Sequence, residues 1–90
     1  MSKPKEILAI EKEYGIELSE LKEGDILDYE NKNRYTLNNK KEIGGLNLRR
    51  NQITDISILK DLKGLTSLDL AMNDITDISI LKDLKGLTSL

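Results

Sequence analysis

The sequence predicts an α/β chain: a short right-handed solenoid with a parallel β-sheet on its concave face, preceded by an α+β N-terminal cap. Three observations lead there. Residues 46–67 (LNLRRNQITDISILKDLKGLTS) and 68–89 (LDLAMNDITDISILKDLKGLTS) align at a period of 22, with 18 of 22 positions identical. Self-similarity at such a period marks stacked repeats. The apolar inventory is narrow, with 16 Leu and 11 Ile among 90 residues and no Val or Phe, as a core built from one recurring unit would require. Finally, the composition changes midway: all eight Glu lie at or before Glu42, and six of the eight Asp lie at or after Asp55. The expected division is therefore a cap over 1–45 and repeats over 46–67 and 68–89, with Leu90 opening a third.

The elements follow in order. Pro4 suits the first turn of a helix. Ile7, Ile10 and Tyr14 recur at helical spacing, and Leu8 widens the stripe. Gly15 fits the left-handed position that ends helices. Ser19 is placed to cap a short turn through Leu21, and Lys22 to Asp25 is turn-like. Tyr35 to Leu37, the polar turn 38–41 and Ile43 to Leu48 read as a β-hairpin leading into the first repeat strand. A solenoid needs an atypical end unit to cover its open core, which is the role assigned to 1–45.

Each repeat position has a physical reason. Leu46 and Leu48 alternate with period 2 and face one side of a strand. Asn51 follows where the chain turns, and its amide can bond main-chain groups of that turn and of the neighbouring repeat. Ser57 is placed to cap a short helix or 3₁₀ segment, with Gly64 ending it. Leu59 and Leu62 share its inner face. The four positions that differ are Asn47/Asp69, Arg49/Ala71, Arg50/Met72 and Gln52/Asp74. Three of these pairs flank the strand leucines and are expected on the concave face. The candidate partner-binding residues are accordingly Asn47, Arg49, Arg50, Ser67, Asp69, Ala71 and Met72, since concave solenoid faces are the usual binding surface.

Composition excludes several chemistries. There is no His, Cys or Trp, which removes His/Cys metal sites, thiol chemistry, disulfides and imidazole triads. The 14 basic and 16 acidic groups give a net charge of −2, unlike a general nucleic-acid surface. No apolar stretch approaches the ~18 residues of a membrane span. The charged start MSKPKEILAIEKEYG is no secretory signal, so the expected location is cytoplasmic. No phosphate-binding glycine motif occurs. Asp55, Asp61 and Asp77 recur at equivalent places in successive repeats instead of converging on one site, so an enzyme is not expected. No cofactor or metal is assigned.

The frame LxLxxNxIxxIxxLxxLxxLxx is carried by Leu46, Leu48, Asn51, Ile53, Ile56, Leu59, Leu62 and Leu65, and again by Leu68, Leu70, Asn73, Ile75, Ile78, Leu81, Leu84 and Leu87. It resembles the leucine-rich repeat, in the 22-residue form of bacterial internalin-like proteins. The lead-in KEILAIEKEYGIEL and the segment Tyr35 to Leu48 are similar to the N-terminal repeat region of bacterial Roco-type proteins. That resemblance implies repeats standing before a Ras-like GTPase domain. It carries no catalytic residue to this chain, and Ile58 and Ile80 stand where related repeats often have Pro. The function expected is protein–protein interaction by the recognition end of a larger cytosolic protein. A truncated structural product, a Roco-type GTPase recognition domain and a surface adhesin are the alternatives. No nucleic-acid or membrane partner is expected. Self-association through an uncapped C-terminal repeat is.

Overall fold

A computed structural model describes residues 3–84. Leu87, and the third repeat opened by Leu90, lie outside the described residues. Helix α1 spans Lys5–Tyr14 and strand β1 spans Ser19–Glu20. A 3₁₀ turn follows at Tyr29–Asn31, then β2 (Arg34–Leu37) and β3 (Ile43–Asn47). A 3₁₀ turn at Ser57–Asp61, strand β4 at Ser67–Asp69 and a 3₁₀ turn at Ser79–Asp83 complete the order. One mixed sheet runs β1-β2-β3-β4. β1 is parallel to β2, β2 is antiparallel to β3, and β3 is parallel to β4 with Leu46 opposite Leu68.

Helix α1 forms where the apolar spacing placed it. Pro4 stands just outside it, and Gly15 ends it at φ 65. Ile7 and Ile10 are fully buried, but Leu8 is 51% exposed. Leu8 lies about 100° around the helix from Ile7, off the buried stripe. Ser19 begins a strand, not the capped turn expected. Its N–H donates to the Asn33 carbonyl at 3.1 Å, and the Leu21 N–H donates to Tyr35 at 2.8 Å. That pairing needs β2, 15 residues downstream, which no local pattern reveals.

One core joins the two halves of the chain: Ile7, Ile10, Leu18, Tyr35 and Ile43 pack with the frame residues of the first repeat, Leu46 to Leu65, and with Leu68 and Leu84. The turn after each strand is held differently from expectation. Ser57 makes no side-chain cap; instead the Asp55 carboxylate accepts the Ser57 N–H at 2.9 Å, and Asp77 accepts that of Ser79 at 2.9 Å. Those main-chain bonds hold both carboxyls below the usual carboxylate range. Nor does Gly64 adopt a left-handed cap. A Cβ there would stand 2.9 Å from Asn38 Nδ2 and 2.9 Å from Glu42 Oε1, so glycine serves a close approach to the β2–β3 turn. The 3₁₀ turn instead ends at Leu62, whose φ −84 and ψ 76 form an inverse γ-turn closed by the Lys63 N–H on the Asp61 carbonyl at 3.0 Å.

Tyr14 ties the helix to the first repeat by donating its hydroxyl to the Asp55 carbonyl at 2.7 Å. Burial, then the charges of Glu13 and Asp55, push its phenol up from 10.0 to about 12. A raised folded pKa means that the protonated form is favoured in the fold. Its stabilisation is therefore complete below about pH 10 and lost as pH rises toward 12. Tyr14→Phe is expected to cost about 1 kcal/mol at neutral pH. Urea midpoints of the two proteins should converge across that alkaline window; a constant gap would sink this account of the bond.

Candidate functional site

The face of the sheet turned away from the core carries Arg34 and Thr36 on β2, Gly45 and Asn47 on β3, and Ser67 and Asp69 on β4. Registry brings Arg34 opposite Asn47, Thr36 opposite Gly45, and Asn47 opposite Asp69. The loop 25–31 lies against this face. A Cβ on Gly45 would stand 2.6 Å from Thr36 Oγ1 and 2.9 Å from Ile26 Cγ2. Ile26 is buried yet separate from the main core, as its place across the sheet requires.

Asn47 is consequently not an open contact residue. It is wholly buried. Its Nδ2 donates to the carbonyls of Ile26 at 2.9 Å and Asp28 at 3.0 Å, and its Oδ1 accepts the Arg49 N–H at 3.2 Å. The expectation that it projects to solvent is corrected: the amide nitrogen holds the loop and the amide oxygen holds the chain as it leaves β3. Asp69, its equivalent in the second repeat, is also buried. Its Oδ1 accepts the Ala71 N–H at 2.9 Å and its Oδ2 meets Arg49 Nη1 at 3.2 Å. The same sequence position thus does two jobs. In the first repeat an amide is needed, because carbonyls face it. In the second a carboxylate is tolerated, because a guanidinium and an N–H face it.

The remaining candidates stay accessible. Ser67 and Arg49 are partly exposed, and Arg50, Ala71 and Met72 are exposed. The Arg50 N–H donates to the Ala71 carbonyl at 3.1 Å, so the two strand-end turns lie side by side. Arg50 and Met72 both have positive φ, 59 and 63, which turns the chain sharply as it leaves the sheet. Arg49, Arg50, Ala71 and Met72 form a ridge along the ends of β3 and β4. Asn47 and Asp69 lie beneath or beside it as supports.

Behind the ridge runs a ladder of asparagines. Asn73 accepts the N–H groups of Asn51 at 2.9 Å and Ile53 at 3.0 Å. It donates to the carbonyls of Leu48 at 2.9 Å, Leu70 at 3.0 Å and Ala71 at 3.3 Å. Asn51 donates to Asn33 Oδ1 at 2.7 Å. The bond from the frame asparagine to the neighbouring repeat is as its position suggested. Asn33 was not foreseen: it sits outside the repeat period at φ 62, where asparagine is among the less strained residues. Ile26 and Tyr29, which stands 67% exposed in the loop across the sheet, were missed too. Their only mark in the sequence is an apolar pair, Ile26-Leu27, within an acidic stretch.

Among the described residues no group of three or more acidic side chains is arranged to hold a metal ion. Asp55 and Asp77 are each engaged by their own turn. No described helix is long and apolar enough to cross a membrane. Residues 45–83 match the family model of leucine-rich repeats, in two copies. No curated protein matches the chain. The repeats are thus leucine-rich repeats, a motif that generally mediates protein–protein interaction.

Proposed function

We propose that this chain is a protein-interaction module, the N-terminal leucine-rich-repeat part of a larger cytosolic protein, and that it binds its partner along the ridge at the ends of β3 and β4. On this reading the repeats form a short solenoid, the segment before them caps its N-terminal end, and no catalysis takes place on the chain. The observation that carries it is the pattern of difference between the repeats. Frame positions are identical, whereas two of the four differing pairs, Arg49/Ala71 and Arg50/Met72, build the ridge, where Arg50, Ala71 and Met72 stand exposed. Packing alone would let all exposed positions vary. Yet Thr54, Ser57 and Lys60 are exposed and are repeated unchanged as Thr76, Ser79 and Lys82. Of the four differing pairs, two build the ridge and a third, Asn47/Asp69, supports it.

The similarity of the lead-in to Roco-type proteins makes a GTPase-linked recognition domain the most specific form of this proposal. Photo-crosslinking in cells tests the surface itself. A benzophenone side chain at Ala71 is expected to give discrete adducts with one partner, and the same group at Lys60 none. Equal labelling from both positions would remove the ridge from the interface.

A further inference from the structure

We infer that the ridge takes an acidic, extended segment of a partner protein, with a carboxylate on Arg49 and Arg50 and an apolar side chain on Met72. This rests on the ridge being the interaction surface and adds the chemistry of what it recognises.

All three arginines of the chain lie on this face or on the turn beside it. The protein carries a net charge of −2. The outer face of β2 and β3 and the adjoining turn nevertheless present Arg34, Arg49 and Arg50, with Asp69 the acid set among them on β4. Among the described residues the ion pairs are Lys3–Glu11 and Arg49–Asp69, so neither Arg34 nor Arg50 is neutralised. Asp28 and Glu30 of the covering loop do not pair with them either, and the Asp28 carboxylate accepts the Glu30 N–H at 3.0 Å.

Arg49 is prepared for a ligand. Asp69 is fixed by the Ala71 N–H and grips one guanidinium nitrogen. A guanidinium has five N–H donors in a rigid fork, so the rest remain to meet a carboxylate in the bidentate geometry that suits both groups. Holding the side chain in advance lowers the ordering cost of binding. Arg50 supplies a second, freer cation on the adjoining turn, within one main-chain hydrogen bond of Ala71. Met72, 62% exposed, adds an adaptable apolar contact beside them. The covering loop sets the boundary. With Ile26 on Gly45 and Asn47 fully engaged, a ligand is excluded from the face of the first repeat and directed onto the ridge.

The test is titration of the isotopically labelled chain with three probes: a short peptide of alternating Glu and Leu, its Lys and Leu counterpart, and a short oligothymidylate. The acidic peptide is expected to bind, to shift the amide signals of Arg49, Arg50, Ala71 and Met72, and to weaken as salt rises. Arg50→Glu should weaken it by about tenfold or more, and Lys60→Glu should leave it unchanged. Equal binding of the two peptides, binding of neither, tighter binding of the oligothymidylate, or indifference to Arg50→Glu would each overturn the inference. Crosslinks from Ala71 without acidic-peptide binding would leave the interaction surface standing and reject only its acidic chemistry.

Discussion

Ile56→Ala is expected to destabilise the protein by about 2–5 kcal/mol, the cost of emptying a large buried apolar site. Ile78→Ala, the same change at the same place in the second repeat, should cost about 1 kcal/mol or less. The local chain cannot distinguish them. Both isoleucines precede SILKD, and their backbones agree, at φ −110 and ψ 16 against φ −105 and ψ 13. Their surroundings differ: Ile56 is 1% exposed and Ile78 62%. The second repeat lies over the first and completes its core, whereas Ile78 belongs to the outer layer. A chain of 90 residues has roughly 5–13 kcal/mol of stability, so the first change removes a large share. Urea midpoints at constant m-value decide it. Equal shifts would show that the two repeats are covered alike and that the layer order described above is wrong.

Asn73→Ala should cost about 2–4 kcal/mol, against about 1 kcal/mol for Asn51→Ala. Here the order of the repeats reverses, because the apolar frame depends on the layer that follows and the asparagine reaches to the layer before. Asn73 serves two N–H groups of the first repeat and three carbonyls, one of them in the first repeat. Removing it leaves the part-buried N–H groups of Asn51 and Ile53 without the side-chain acceptor that holds them, whereas the Ala71 carbonyl keeps its bond from the Arg50 N–H. The Asn51 side chain donates to Asn33, the residue before β2. Asn73→Asp is a sharper probe. It keeps the acceptor but turns a second oxygen toward carbonyls, which disfavours the ionised form. That raises the folded pKa of the new carboxyl, so the variant should be more stable in mild acid than at neutral pH relative to the parent. Equal losses for Asn51→Ala and Asn73→Ala, or a flat pH response of Asn73→Asp, would contradict the ladder.

How much of the structure could be read from the sequence depends on whether a residue answers to the repeat. Leu46, Leu48, Ile53, Ile56, Leu59, Leu62, Leu65 and Leu68 are buried as their positions dictate, and β3 and β4 pair at the 22-residue offset. A periodic chain packs each unit against its own copy, so the period is itself a statement of contacts. Helix α1 was legible for a similar reason, since helical spacing and a terminal glycine are local. Other features have no local mark. Lys41, Arg50, Gln52 and Met72 occupy positive φ without being Gly or Asn, so their residue types do not announce the turn. Ser57 has the residue type of a cap, but the turn begins one residue earlier and Asp55 accepts the N–H of Ser57 itself.

The candidate site divides the same way. The repeat alignment alone identified Arg49, Arg50, Ala71 and Met72 as varying positions beside an invariant frame, and the structure brings them together on one ridge. Only the tertiary structure decided that Asn47 is buried, that Asp69 steadies Arg49, and that the loop 25–31 closes the face over the first repeat. That loop is folded by β1 pairing with β2 and by two carbonyls finding one amide about twenty residues away. The period of the repeats follows from a chain packing against its own copy, so sequence alone determines it. The loop's position follows from which distant hydrogen-bonding groups are satisfied, and those meet only when the chain is folded.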